Sequence, residues 1–143
     1  MSQAATTDVK IVAFCCENSA HQAAEDCSRR GLTLPAEVRI IKVPCAGKVD
    51  ELYIMKAFEE GADGVCILAC RTDACRYLRG NVRAQKRLAH AGEMLKEIGY
   101  SPDRVRYDSL APHMSVRLSG ILRDFIRKIQ EMGEGEGEGE GGR

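Results

Sequence analysis

The sequence contains no tryptophan, and aromatic residues make up only 5% of its 143 residues. With so few aromatic residues, we do not expect a surface on which nucleobases or sugars stack. Twenty-one basic residues balance 21 acidic ones, so the net charge of zero does not favour binding to nucleic acid or to an anionic membrane. No apolar run approaches the ~20 residues that span a bilayer, and residues 1–10 do not resemble a signal peptide. We therefore expect a cytoplasmic protein without membrane insertion or a nucleic-acid partner.

Several signatures of cofactor and metal sites are also missing. The sequence has no G-x-G-x-x-G fingerprint and no P-loop lysine motif. It also lacks the paired C-x2-C knuckles that are typical of structural zinc. The segment that follows the first predicted strand, CCENSA, is a poor phosphate loop for a flavin nucleotide. Because these motifs are absent, we do not expect the chain to belong to the common classes of nucleotide-binding protein.

What the sequence does contain is seven cysteines. A disulfide framework is not expected, because the number is odd and the cytosol is a reducing compartment. The stretch LACRTDACRYLRGN, residues 68–81, places Cys70 and Cys75 five positions apart, with Arg71, Arg76 and Arg79 around them. Whether these thiols have a function depends on where the other cysteines lie in the fold.

Hydrophobic patterning predicts alternating strands and helices in one domain, residues 9–132. The predicted strands are 9–16, 38–45, 64–70 and 105–110, and the predicted helices are about 20–30, 50–60, 81–98 and 115–132. Ser19 and Gln22 form a capping-box pattern at the start of the first helix. Alternating apolar strands and helices indicate an α/β fold, a small doubly wound parallel sheet with helices on both faces. Analogy with flavodoxin-like folds gives the strand order 2-1-3-4.

The two chain ends are predicted to lie outside this domain. Residues 1–8 are expected to form a flexible N-terminus. Residues 133–143 read GEGEGEGEGGR, and the backbone entropy of glycine together with repulsion between glutamates predicts a disordered tail.

The cysteines that end the predicted strands should meet at one edge of the sheet. Cys15 and Cys16 end the first strand, Cys45 ends the second and Cys70 ends the third, while Cys75 follows on the next loop. The carboxyl ends of parallel strands share an edge, neighbouring strands lie ~4.8 Å apart, and ligands bind where the strand order switches. Four converging sulfurs have the ligand count of a metal centre.

The residues alone leave three interpretations of this site open. An iron–sulfur cluster takes four thiolates, and the C-x4-C spacing occurs in plant-type [2Fe–2S] proteins. Zinc also accepts four thiolates and would make the chain a zinc-stabilised assembly module. The third interpretation is a thiol–disulfide oxidoreductase that uses Cys70 and Cys75. Cys27 and Cys66 are expected to be core residues, and His21 is a weaker candidate for a ligand.

Basic residues cluster around the same segment. An oxidised [2Fe–2S] cluster with four thiolates carries a charge of about −2, so neighbouring cations stabilise it and raise its potential. We expect Arg71, Arg76 and Arg79 to tune the cluster or to help a partner dock. The basic residues of the following helix are interpreted as a solvated face: Arg83, Lys86 and Arg87.

Three segments carry a resemblance to a known family: IVAFCCENSA, VRIIKVPCAGKVD and AFEEGADGVCILACRTDACRYLRGN. Over about residues 9–130 the chain resembles the delta subunit of the methyl-viologen-reducing (F420-non-reducing) hydrogenase, the small iron–sulfur subunit that works beside heterodisulfide reductase. The resemblance implies one [2Fe–2S] cluster. It also implies electron relay between a hydrogenase, or another electron donor, and the flavin of a heterodisulfide-reductase-A-like subunit.

Carried over by position, the resemblance implies that Cys16, Cys45, Cys70 and Cys75 are the cluster ligands, with Cys15 as a competitor for Cys16. The chain departs from the family pattern at three places. Ser19 stands where members often have a further cysteine in C-x-W-C, and Arg71 and Arg76 stand where histidine is common. This more cationic version suits related complexes, including benzoyl-CoA reductase, as well as it suits a hydrogenase.

Overall fold

The computed structural model describes residues 9–70 and 80–139 and contains four strands and four α-helices. In chain order these are β1 (Ile11–Cys16), α1 (Ala20–Arg29), β2 (Val38–Val43), α2 (Glu51–Glu59), β3 (Gly64–Ala69), α3 (Gly80–Glu97), β4 (Val105–Ser109) and α4 (Ser115–Gly139). Two short 3₁₀ turns, Ala46–Lys48 and Pro102–Arg104, precede α2 and β4. The alternation of strands and helices predicted from the sequence is confirmed.

The four strands form one parallel sheet in the order β2-β1-β3-β4. Ala13 in β1 is level with Ile40 of β2 on one side and with Cys66 of β3 on the other. Both the predicted fold class and the predicted strand order are therefore confirmed. The switch in strand order lies between β1 and β3, as expected for this topology.

The helices cover the two faces of the sheet in pairs. One core cluster includes Ile11 and Cys15 of β1 together with Leu122 and Phe125 of α4. The other contains Phe14 of β1 and apolar residues of α2 and α3, including Ile54, Ala84, Leu88 and Leu95. Because side chains alternate along a strand, odd-numbered β1 residues face α1 and α4, and even-numbered ones face α2 and α3.

Burial separates the central strands from the edge strands. Every residue of β3 is buried, as are all but one of β1, whereas β2 and β4 contain no fully buried residue. The continuous apolar runs of β1 and β3 thus correspond to strands that are covered on both faces.

Helix ends follow the sequence signals with one correction. Gly31, Gly61 and Gly99 have positive φ angles just after α1, α2 and α3, where glycine avoids the strain that a Cβ atom would cause. The predicted capping box at α1 is wrong. Ser19 occupies the N-cap, but its side chain caps no backbone N–H, and Gln22 donates instead to the Glu17 carbonyl.

Helix α2 leaves large apolar residues of its first turn in solvent. Ile54 and Phe58 are its buried residues, whereas Leu52 is 74% exposed. Leu52 lies in the first turn, where Asp50 caps the backbone N–H groups of Leu52 and Tyr53. This cap fixes the start of the helix so that Leu52 and Tyr53 point outward.

The final helix extends past the predicted domain boundary. Its helical backbone continues to Gly139, beyond residue 132, after which a disordered tail is predicted. A helix that has already formed adds one hydrogen bond per residue, which favours such an extension. Residues 1–8 lie outside the described chain, and the division into domain and tails stays a prediction. Within the described ranges, no helix is both long and apolar enough to cross a membrane.

Candidate metal centre

Three of the predicted ligand residues lie at the carboxyl edge of the sheet on neighbouring strands. Cys16 is the last residue of β1 and is level with Val43, the last residue of β2. Cys45 follows two residues after Val43. Cys70 directly follows Ala69, the last residue of β3. All three cysteines are buried, with exposed fractions of 2%, 3% and 7% for Cys16, Cys45 and Cys70.

Strand geometry separates Cys15 from Cys16. Cys15 belongs to the core cluster under α1 and α4 and is fully buried. Burial, with a smaller contribution from the neighbouring Cys16, raises the pKa of the Cys15 thiol to about 12. Alternation places Cys16 on the opposite face, the face of Phe14 and the residues that follow Cys45. Of these two cysteines, only Cys16 therefore lies both at the end of the strand and on the face of the sheet where the Cys45 turn packs.

The Cys45 segment is a tight turn that directs a backbone donor to the sulfur. Cys45 has an extended backbone and precedes the 3₁₀ turn Ala46–Lys48. Its Sγ accepts a hydrogen bond from the Gly47 N–H at 3.4 Å, and its carbonyl accepts one from the Lys48 N–H at 2.9 Å. An N–H donor on a sulfur is a contact that stabilises a thiolate and tunes iron–sulfur potentials.

Arg87 of α3 secures this turn from the other side. Its Nη1 donates a hydrogen bond of 2.6 Å to the Gly47 carbonyl, and the side chain is only half-exposed. The interpretation of Arg87 as part of a solvated face is therefore wrong, whereas Lys86 is exposed as expected. In the sequence, the i,i+4 spacing of Arg83 and Arg87 indicates that both residues lie on one face of the helix. It does not indicate which residue that face contacts.

A cationic cavity lies beside the Cys45 sulfur. Its volume is about 380 Å³, and its lining contains Cys45, Gly47, Lys48, Arg83 and Arg87. Three basic side chains around one buried thiol form an environment that favours a negatively charged group.

The loop after Cys16 contributes further polar groups. Asn18 Nδ2 and Ser19 Oγ are buried without a hydrogen-bond partner in the described parts of the chain. Helix α1 begins at Ala20, so the positive end of its dipole lies just beyond Cys16. Unsatisfied buried polar groups and a helix N-terminus both suit an anionic, electron-rich ligand at this place.

The fit to a four-thiolate cluster is good in donor type and in placement, but it is incomplete in the part of the chain that can be described. Within residues 9–70 and 80–139, no three His, Cys, Asp or Glu side chains form a group that could hold a metal ion. Cys75, the fourth predicted ligand, lies outside this part, as do Arg71, Arg76 and Arg79. The four-cysteine ligand set thus stays a prediction.

The remaining cysteines and two histidines have other roles. Cys27 and Cys66 are fully buried core residues, as predicted, and the Cys27 thiol donates to the Ser115 carbonyl across α1 and α4. His21 lies 3.8 Å from Glu25 on the same helix. His90 makes a 2.8 Å hydrogen bond to Glu51, which tethers α3 to the start of α2. Among the described residues, the polar contact of His21 is thus with its own helix.

Burial of Cys66 predicts a loss of stability at alkaline pH. Burial raises the pKa of the Cys66 thiol above its ordinary value. The unfolded chain releases this proton above about pH 9, whereas the folded chain retains it, so stability falls by up to about 1.4 kcal/mol per pH unit above that point. In denaturant titrations of reduced protein from about pH 8 to pH 11, Cys66→Ala should show a shallower decline. An unchanged slope in this variant would contradict the assignment to Cys66.

Comparison with known protein families matches residues 11–133 to one family, described as the methyl-viologen-reducing hydrogenase delta subunit (FlpD). This match spans β1 to α4 and includes Cys16, Cys45, Cys70 and Cys75. The chain belongs to the methyl-viologen-reducing hydrogenase delta-subunit family. The resemblance seen in the sequence is confirmed.

Relatives of the delta-subunit family occur both as separate subunits and within longer chains. The vhc iron–sulfur subunit of the F420-non-reducing hydrogenase of Methanococcus voltae is 35% identical over 124 residues, covering 87% of this chain and 86% of that protein. The corresponding vhu iron–sulfur subunit of Methanocaldococcus jannaschii is 30% identical over 126 residues, covering 88% and 94%. The A-type subunit of the ferredoxin/F420H2-dependent CoB–CoM heterodisulfide reductase of Methanosarcina acetivorans is 32% identical over 123 residues.

That last similarity covers 86% of this chain but only 16% of the reductase protein. The delta-subunit domain thus corresponds to a small part of a longer protein in this relative. These relatives are named as iron–sulfur subunits of a hydrogenase and as a subunit of a heterodisulfide reductase.

Proposed function

We propose that the chain carries one [2Fe–2S] cluster and relays electrons within a larger cytoplasmic redox complex. Cys16, Cys45, Cys70 and Cys75 would hold the cluster. The observation that carries this proposal is the placement of three buried thiols at the ends of three adjacent strands, with a backbone N–H donor on the Cys45 sulfur. The absence of paired C-x2-C knuckles and the relatives named as iron–sulfur subunits favour a cluster over a zinc ion.

When bound, such a cluster accepts and donates one electron at a time. The residues of this chain would provide its ligands, hydrogen bonds to its sulfurs and compensating positive charge. Gly47 provides the donor to Cys45, and Lys48, Arg83 and Arg87 provide charge around the adjacent cavity. Arg71, Arg76 and Arg79 are proposed to add to this charge or to contact a partner.

The partner that we propose is a heterodisulfide-reductase-A-like flavin and iron–sulfur protein, with a hydrogenase or another protein as the electron donor. Relatives named as hydrogenase iron–sulfur subunits and as the A-type subunit of heterodisulfide reductase support this assignment. A site built at a sheet edge from strand ends and loops would lie near the protein surface, where electrons can pass between subunits.

Iron and acid-labile sulfide analysis of anaerobically purified protein tests the proposal directly. We expect iron and sulfide in equal amounts, near two of each per chain, and an electron paramagnetic resonance signal that appears on one-electron reduction. Zinc in place of iron, or no metal after reconstitution, would contradict the proposal. Metal-free protein with thiol–disulfide turnover would indicate the oxidoreductase that uses Cys70 and Cys75.

A further inference from the structure

In the described parts of the chain, the helical layer on one face of the sheet covers the edge strand β2 only in part. The principal contacts of α2 and α3 with the sheet are made to β3 and β4. The side chains of β2 that point to this face are Arg39, Ile41 and Val43, which pair in register with Val12, Phe14 and Cys16 of β1. The helical layer on this side thus stops short of the edge of the sheet.

This partly covered face forms a groove between β2 and α2. Its volume is about 610 Å³. The floor contains Val12, Ile41 and Val43, all partly exposed, and the wall includes Tyr53 and Ala57 of α2. A groove of this size with an apolar floor is costly to leave in water, because about 25 cal/mol is gained per Å² of apolar surface that becomes buried.

Basic residues predominate around the groove. Its lining contains four cations, Lys10, Arg39, Lys48 and Lys56, against two carboxylates, Glu37 and Glu60. In the described parts of the chain, the side chains of Arg39, Lys48 and Lys56 take part in no ion pair. These exposed charges favour an occupant whose polar rim is acidic.

The groove is continuous with the candidate metal centre. Pro44 and Lys48, on either side of Cys45 in the chain, both line it, and Lys48 also lines the cavity beside the Cys45 sulfur. Leu52 and Tyr53, at the start of α2, are 74% and 58% exposed, and Tyr53 is part of the groove wall. An occupant of the groove would therefore be held next to the Cys45 end of the sheet.

We propose that this groove binds an amphipathic helix with acidic flanks that belongs to the electron-transfer partner. The inference rests on the proposed function. A helix fits because the gap lies in the helical layer, and a six-residue strand of ~20 Å matches a helix of about 13 residues. Docking here places the partner beside the cluster ligands. In the Methanosarcina relative, the corresponding segment is 16% of a longer protein, so this domain also occurs covalently joined to further protein.

A charge-reversal pair with a matched control tests the groove. The test variant is Arg39→Glu combined with Lys56→Glu, both exposed residues of the groove lining. The control is Lys42→Glu with Lys128→Glu. Lys42 lies on the same strand but is level with Cys15, so it points to the α1/α4 face, and Lys128 lies on α4. Both variants change the net charge equally.

Binding of each holoprotein to the purified heterodisulfide-reductase-A-like partner is measured anaerobically, together with iron and sulfide content. We expect the test variant to bind at least about tenfold more weakly than the control, with the difference shrinking at high salt. Ile41→Ser, an uncharged substitution in the apolar floor, should weaken binding without this salt dependence. Circular dichroism confirms that each variant is folded.

Three outcomes would overturn the groove assignment. If the two charge-reversal variants bind equally while both contain the cluster, the partner docks elsewhere and the proposed function stands. If sedimentation shows a dimer of this chain that the test variant disrupts, a second copy occupies the groove. If the wild-type holoprotein shows no binding to this partner, the partner in the proposed function is wrong and the groove assignment fails with it.

Discussion

Replacing Cys16 by alanine is expected to remove the proposed iron–sulfur cluster, whereas replacing the adjacent Cys15 by alanine is expected to leave it in place. The two thiols point to opposite faces of the sheet, and Cys15 is enclosed in the core beneath α1 and α4. Iron bound per chain should fall at least about tenfold in Cys16→Ala, because even partners outside the coordination shell change metal affinity by about 10–100-fold. Iron and sulfide analysis with visible absorption measures this directly.

In the metal-free protein, Cys15→Ala should lower the free energy of unfolding more than Cys16→Ala does. Cys15→Ala removes a fully buried sulfur and is expected to cost about 1–2 kcal/mol in denaturant unfolding. Cys16 lies at the end of the strand, so Cys16→Ala should lower the free energy of unfolding by less. Loss of the cluster in Cys15→Ala with retention in Cys16→Ala would exchange the roles of the two residues. Retention in both variants would show that neither thiol is a ligand.

The sequence was sufficient to predict the fold because its strands are short apolar runs separated by helices with clear ends. β1 and β3 are covered on both faces, so their residues need not alternate, and that continuous pattern identified a parallel sheet. The strand order required analogy with known folds, since periodicity does not specify which strands are neighbours. Local details failed where tertiary contacts dominate, as at Ser19, whose hydroxyl is buried and caps no backbone N–H.

The candidate site was predictable only in part, for a related reason. The cysteines could be located because strand ends can be read along the chain, and parallel strands bring those ends to one edge. The contact between Arg87 and the Gly47 carbonyl joins residues 40 positions apart, and no local pattern specifies that pairing. The groove on β2 could not be predicted from the sequence either, because it depends on which strands α2 and α3 cover. Contacts between distant elements are what the sequence pattern does not encode.

Replacing Arg87 by glutamine is expected to lower the reduction potential of the proposed cluster. Reduction adds negative charge, which the guanidinium stabilises, and the Arg87 bond to the Gly47 carbonyl holds the turn whose N–H donates to Cys45 Sγ. Loss of one nearby positive charge is worth on the order of 1.4 kcal/mol, which corresponds to about 59 mV for one electron. Redox titration followed by electron paramagnetic resonance measures the shift.

Two further variants separate charge from positioning. Arg83→Gln removes a cation from the same cavity, but Arg83 is exposed and makes no hydrogen bond to the turn within the described residues. Arg87→Lys keeps the charge without the planar guanidinium that reaches Gly47. If Arg87 positions the Cys45 turn, Arg87→Lys should alter the resonance signal and lower the potential more than Arg83→Gln does. Equal shifts in Arg83→Gln and Arg87→Gln, with Arg87→Lys unchanged, would show that only the local charge matters.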